Sequence, residues 1–248
     1  MCGIFFSCSQ YEYLLPSSRL FDCLKRRGPD AERVIQRKIE LSDCAGGAAK
    51  KVFHLTFVST VLSLRGNHVV RQPLEETSSG SLLCWNGEAW KIDDRIVDGN
   101  DVHSIFNLLL KATKLETVEK KDSLTSHTET LRAIINVFTS ISGPYSFVFY
   151  DAGHQRIFYG RDVLGRRSLL SKILEDDSLI LSSISNGCVS DTWTEVEANG
   201  IHVLNLTTGQ CRSKTEEYVL GRILWSTEEK VPKSAPSLVR SSYAFARF

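Results

Sequence analysis

The chain opens Met1-Cys2-Gly3-Ile4, which puts a thiol one residue from the N-terminus. Methionine aminopeptidase removes an initiator Met that precedes a small residue, so the mature chain is expected to begin at Cys2. A terminal Cys carries a thiol nucleophile and, on the same residue, an α-amine whose unperturbed pKa of about 8 suits a general base acting directly or through water. No His or Asp has to be recruited. A Cys at position 2 also arises by chance, and four residues alone do not separate the two readings. Other reactive constellations are not written in the sequence. The 7 cysteines include no Cys-x-x-Cys pair, the 6 histidines show no metal-ligand spacing, and no Ser-His-Asp set can be assembled. Gly46-Gly47-Ala48-Ala49-Lys50-Lys51 lacks the spacing of a phosphate-binding loop. No cofactor and no metal are expected.

A nucleophile at Cys2 needs a strand to hold it and further elements to wall a pocket. Runs rich in β-branched and aromatic residues, bounded by Gly, Asn, Asp or Ser, predict strands at 3–7, 34–41, 52–63, 81–85, 145–151, 156–161, 178–183 and 200–206. Residues 152–155 read as the polar turn of a hairpin. Helical spacing of apolar residues predicts helices at 17–26, 101–115 and 130–141, the first capped by Ser17 and the last stopped by Gly143-Pro144. Residues 116–129 form a charged insertion. Strands precede, separate and follow the helices without regular alternation, which argues for α+β layers over a doubly wound parallel sheet.

Composition narrows the function class. The chain has 248 residues, 42% of them hydrophobic, with 30 Lys plus Arg against 29 Asp plus Glu and a formal net charge of +1. The apolar share is too high for a disordered chain, and a near-neutral charge gives no electrostatic footprint for nucleic acid. No apolar run approaches the roughly 20 residues that cross a bilayer, and no basic n-region precedes an apolar stretch. The expectation is a soluble cytoplasmic protein with no nucleic-acid or membrane partner. From about Trp225 the chain turns polar and is broken by Pro232 and Pro236, which reads as a tail.

Ordered motifs then add weight to Cys2. Arg26-Arg27-Gly28-Pro29-Asp30 is followed by Gln72-Pro73-Leu74, Trp85-Asn86-Gly87-Glu88 and Gly99-Asn100-Asp101. Gly143-Pro144-Tyr145-Ser146-Phe147 comes next, and the run from Gly160-Arg161-Asp162 through Gly165-Arg166-Arg167-Ser168-Leu169-Leu170 completes the set. In this order they resemble the class II, N-terminal-nucleophile glutamine amidotransferase domain of the asparagine synthetase family, from Cys2 to roughly Leu206. The resemblance implies a four-layer αββα sandwich, glutamine as substrate and Cys2 as nucleophile. It implies that the Asn86 side-chain amide and the Gly87 backbone N–H donate to the tetrahedral oxyanion, and that Glu88 and Asp101 lie near the α-amine of glutamine. Asn86-Gly87 is also a common turn dipeptide, and Asp101 also suits a first helical turn. Arg161-Asp162 and Arg166-Arg167 also suggest an anion site, whereas the resemblance implies that this stretch is a structural hairpin.

One position departs from the family. The Arg that binds the glutamine α-carboxylate stands eleven residues before the Gln-Pro pair; here that position is Val61, and the nearest Arg is Arg65, four residues on. An extended segment of four residues spans about 13 Å, so Arg65 serves as the substrate-binding cation only if Gly66 lets the chain kink. Two functions therefore stay open: a glutaminase that releases ammonia for an acceptor in a synthetase domain or partner protein, and a scaffold kept as an interaction or regulatory module. No Ser-Gly-Gly-x-Asp-Ser pyrophosphate loop occurs, so the synthetase half is not expected in this chain. The expected organisation is an amidotransferase domain over 2–220 and a linker or tail over 221–248.

Overall fold

The computed structural model describes residues 1–41, 51–114, 123–188, 192–198, 200–207 and 220–224. Two six-stranded sheets dominate them. The first runs, in hydrogen-bonded order, β13 (Thr194–Glu195), β11 (Leu170–Ile173), β12 (Leu179–Ser182), β1 (Gly3–Ser9), β3 (Lys51–Val61) and β2 (Ala31–Leu41). The second runs β15 (Leu220–Leu224), β14 (Gly200–Asn205), β10 (Arg156–Arg161), β9 (Tyr145–Asp151), β5 (Leu82–Gly87) and β4 (Leu74–Glu75). Neighbouring strands in both are antiparallel. A small third sheet joins β7 (Arg95–Ile96), β6 (Lys91–Ile92) and β8 (Ile141–Ser142).

Strand alternation stacks the layers. Successive side chains point to opposite faces, and on β1 Ile4, Phe6 and Cys8 enter the space between the sheets while Phe5 faces out. Phe53, Leu55 and Phe57 of β3, Leu82 and Cys84 of β5, and Val148 and Tyr150 of β9 fill the same interior. Phe57 packs on Phe6 at 5.0 Å between ring centroids and on Tyr150 of the facing sheet at 6.0 Å. Outside the first sheet, Phe5 and Val58 meet Leu20 and Leu24 of helix α1 (Ser18–Arg27). Outside the second, Leu83, Trp85, Phe147 and Phe149 meet helices α2 (Val102–Lys114) and α3 (Ser123–Thr139) through Ile105, Phe106, Leu109, Ile134 and Phe138. The order helix, sheet, sheet, helices is the αββα sandwich. Each large apolar side chain so covered contributes about 1.5–3 kcal/mol, and both faces of each sheet are covered, so β1 and β9 are buried at every residue.

The structure corrects several boundaries. Ser17 does cap α1, its side chain accepting from the Leu20 N–H at 3.3 Å. β3 ends at Val61 rather than at 63. Helix α3 starts at Ser123, before the expected 130, and ends at Thr139; Ile141 belongs to β8. Strand β15 of the second sheet runs over Leu220–Leu224. The tail from Trp225 and the first part of the charged insertion, 116–122, lie outside the described residues.

Candidate functional site

The N-terminal end of β1 and the C-terminal ends of β3 and β5 come together at one end of the sandwich. Register sets this: Gly3 pairs with Thr60, so Cys2 sits beside Val61, while Asn86 and Gly87 pair with Ser146 and Tyr145. Cys2, Arg65, Asn86, Gly87, Glu88 and Asp101 all line one cleft there, together with Val61, Gln72 and Trp85. Residues from five separate sequence motifs thus share a wall.

The motifs fasten that wall. Arg27 donates through Nε to the Cys2 carbonyl at 3.3 Å. The Asp30 N–H donates to the Val61 carbonyl at 2.9 Å, and its carboxylate accepts from the Ser63 N–H at 2.7 Å. The Gln72 side-chain oxygen accepts from the Trp85 N–H at 2.7 Å, beside a cis peptide bond to Pro73. Gly87 is required by close approach: a Cβ there would lie 2.6 Å from the Tyr145 Cβ and 2.8 Å from the Pro144 carbonyl.

Cys2 is half-buried, and its thiol lies 3.8 Å from the Leu62 carbonyl. Burial pushes the thiol up, partly offset by a hydrogen bond with the Leu62 backbone and by the nearby terminal amine. Met1 lines the same cleft, and burial lowers its amine, with Arg27 and Arg167 pushing in the same direction. Asn86 is buried; its Nδ2 donates to the Ser146 hydroxyl at 3.4 Å and its Oδ1 has no hydrogen-bond partner. Asp101 is only 4% exposed, and its Oδ2 accepts from the Ala89 N–H at 2.6 Å and from the Trp85 indole at 3.2 Å. Burial still raises its carboxyl above the ordinary value, against the pull of those donors and of Arg65.

The kink at Gly66 is real: Gly66 adopts φ +83, and Arg65 reaches the cleft that Val61 also lines. Both terminal nitrogens of Arg65 are nevertheless engaged, donating to the Ala89 and Val97 carbonyls. Arg65 therefore staples the 62–66 segment to the loop after β5. Within the 161–168 hairpin, Asp162 accepts from the Tyr145 and Arg166 N–H groups at 3.0 and 3.1 Å, and Arg161 donates to the Arg167 and Val196 carbonyls at 2.8 and 3.1 Å. That much is architecture. Arg167 is different: it lines the cleft and donates through Nη2 to Glu88 at 2.7 Å. The pair Arg166-Arg167 reads in the sequence either as an anion site or as part of a structural hairpin, and the folded geometry sets Arg167 apart from Arg161 and Arg166. Among the described residues, no group of three or more His, Cys, Asp or Glu could hold a metal ion. None of the described helices is long and apolar enough to cross a membrane.

No family model matches the chain. Asparagine synthetase domain-containing protein 1 of Mus musculus is 30% identical over 210 residues, covering 84% of this chain and 29% of that protein. The Bos taurus protein of the same name is 31% identical over 208 residues, covering 83% of this chain and 28% of that protein. The chain thus spans under a third of the length of these curated relatives. Among solved structures, the glutamine phosphoribosylpyrophosphate amidotransferase of B. subtilis has a TM-score of 0.45 at 14% identity, covering 82% of this chain and 47% of that one. A predicted glutamine amidotransferase from Pseudomonas aeruginosa has a TM-score of 0.38 at 11% identity, covering 82% of this chain and 97% of that one. Over more than four fifths of its length, the chain is similar to the N-terminal-nucleophile-like part of proteins named asparagine synthetase domain-containing protein 1, of which it spans less than a third.

Proposed function

We propose that the chain, once Met1 is removed, is a glutaminase that releases ammonia from the side-chain amide of glutamine. The observation that carries this reading is the convergence of Cys2, Asn86, Gly87, Glu88 and Asp101 on one cleft. The free α-amine of Cys2 takes the thiol proton, directly or through water, and the sulfur attacks the amide carbon. The oxyanion that forms is held by the Gly87 N–H and the Asn86 amide. A half-turn of that amide brings Nδ2 to the unpartnered position, and the Ser146 hydroxyl turns its one proton from the Ser168 carbonyl to Oδ1. Such a donor is worth about 2.7–4 kcal/mol of barrier. Collapse breaks the carbon–nitrogen bond, and ammonia leaves with the proton held by the amine. Water then cleaves the thioester to glutamate and restores the thiol. Glu88 and Asp101 attract the α-ammonium.

In this reading the amidotransferase domain spans 2–220, with 221–248 as a linker or tail, and the acceptor of ammonia is a synthetase domain or partner protein. The cytoplasm is the compartment we assign. A second reading, an inactive scaffold, is favoured by Val61 in the wall and by the engagement of Arg65 with backbone carbonyls. The test is ammonia and glutamate release by the processed chain, with labelling by an electrophilic glutamine analogue. Turnover and an adduct mapped to Cys2 by mass spectrometry are expected. No turnover and no adduct would leave the scaffold reading.

A further inference from the structure

The two charges of an amino acid sit on one carbon, so a site that reads both needs a cation and an anion side by side at its wall. Among the described residues, the cleft wall holds one ion pair between side chains, Arg167 Nη2 to Glu88 Oε1 at 2.7 Å. The other charged groups nearby are committed. Both terminal nitrogens of Arg65 are on carbonyls, Arg27 holds the Cys2 carbonyl, and Asp101, in the cleft wall, accepts from the Ala89 N–H and the Trp85 indole. Arg167 and Glu88 instead keep 18% and 31% of their side chains exposed. Arg167 also has a donor in reserve: its Nε has no hydrogen-bond partner.

Position supports the pair. The Arg167 backbone is clamped by Arg161 at its carbonyl, and the next residue, Ser168, donates to the Ser183 carbonyl at 2.6 Å. Ser146 links Asn86 to the Ser168 carbonyl through contacts of 3.4 and 3.3 Å. Arg167 therefore stands one hydrogen-bonded chain from Asn86, and close enough to the terminal amine to influence it.

We propose that Arg167 is the cation that grips the substrate's α-carboxylate, with Glu88 turning to the α-ammonium beside it. The proposal rests on the glutaminase reading and replaces Arg65 in its substrate-binding role. A planar guanidinium binds a carboxylate with two parallel hydrogen bonds, which a lysine cannot reproduce.

The experiment is titration calorimetry on the full, Met-processed chain carrying Cys2→Ala, with L-glutamine and with L-glutaminamide, whose α-carboxylate is replaced by a neutral amide. Against this parent, Arg167→Met is expected to weaken L-glutamine about 30-fold and L-glutaminamide less than about 3-fold. Arg167→Lys should fall between and carries the test if the Met variant does not fold. Equal losses for both ligands, or no loss, would overturn the proposal, as would a parent that fails to prefer L-glutamine. Wild-type ammonia release separates the two claims. An Arg167-dependent preference without turnover removes the enzyme reading and keeps the grip; turnover with an Arg167-independent preference does the reverse.

Discussion

Burial shifts Cys2 and Asp101 in the same direction, holding each acid in its protonated form above its ordinary value. The thiol is held protonated above its ordinary value of 9.0, which leaves little thiolate at neutral pH while Met1 is attached. Processing moves the ammonium onto the Cys2 α-carbon and opens the cleft that Met1 lines, so the thiolate gains a close positive charge. Alkylation of Cys2 by iodoacetamide, followed by mass spectrometry, should therefore be faster at pH 7 in the processed chain, by roughly tenfold for each unit of pKa recovered. Superimposable pH profiles for the two forms would refute the coupling. For Asp101 the folded pKa is raised from 3.8, so its contribution to stability is full below 3.8 and is lost as pH rises through the raised value. Asp101→Asn removes that titration while keeping an acceptor oxygen for Ala89 and Trp85. The stability of Asp101→Asn relative to wild type, from denaturant melts at pH 3 to 7, should accordingly shift in the variant's favour as pH rises; a flat difference would show that the buried charge costs nothing.

At the scale of elements, the cleft is kept in shape by backbone packing, and Gly28 is the most exacting point. It closes α1 at φ −137, a conformation open to any residue, but a Cβ there would run into the backbone of Thr60 and Val61. Gly28→Ala should cost about 1–3 kcal/mol through overpacking, and because it pushes on the end of β3 it should also slow Cys2 labelling by the glutamine analogue. A stable variant with unchanged labelling would show that β3 can yield without disturbing Val61. The same elements show what the sequence could and could not tell. Strands such as Tyr145–Asp151 and Arg156–Arg161 were legible to the residue, because long β-branched and aromatic runs meet well-marked turns. The two-residue strands β4, β6, β7, β8 and β13 were not, since pairing with a neighbour, rather than any period, makes them strands. Ile141 continues the helical apolar stripe and yet pairs with Ile92 in β8, a tertiary choice that overrides local spacing. The site was legible wherever a motif named it. Arg166-Arg167 reads both as an anion site and as hairpin structure, and only the folded geometry divides the pair: Arg161 and Arg166 hold the hairpin while Arg167 turns to Glu88.

Across the whole molecule, the cleft is a joint between the two sheets: Cys2 and Val61 come from the first, Asn86 and Gly87 from the second. Its geometry should depend on how the sheets are held face to face and much less on the outer helical layer. Phe57 is fully buried between the sheets, where it touches Phe6 on its own sheet and Tyr150 on the other. Ile134 is equally buried, but in α3 against the outer face of the second sheet. Phe57→Leu and Ile134→Val should each cost about 1–1.5 kcal/mol, since both keep an apolar side chain while losing volume. That corresponds to about 2–6 °C in Tm for a domain of this size. The two variants should then part company at the site. Phe57→Leu lets the sheets shift against each other and should slow Cys2 labelling by the glutamine analogue several-fold. Ile134→Val should label at the wild-type rate despite its similar melting loss. If both variants label alike, the sheets are not what sets the distance between nucleophile and oxyanion donors, and the clamps of Arg27, Asp30 and Gln72 would carry that burden alone.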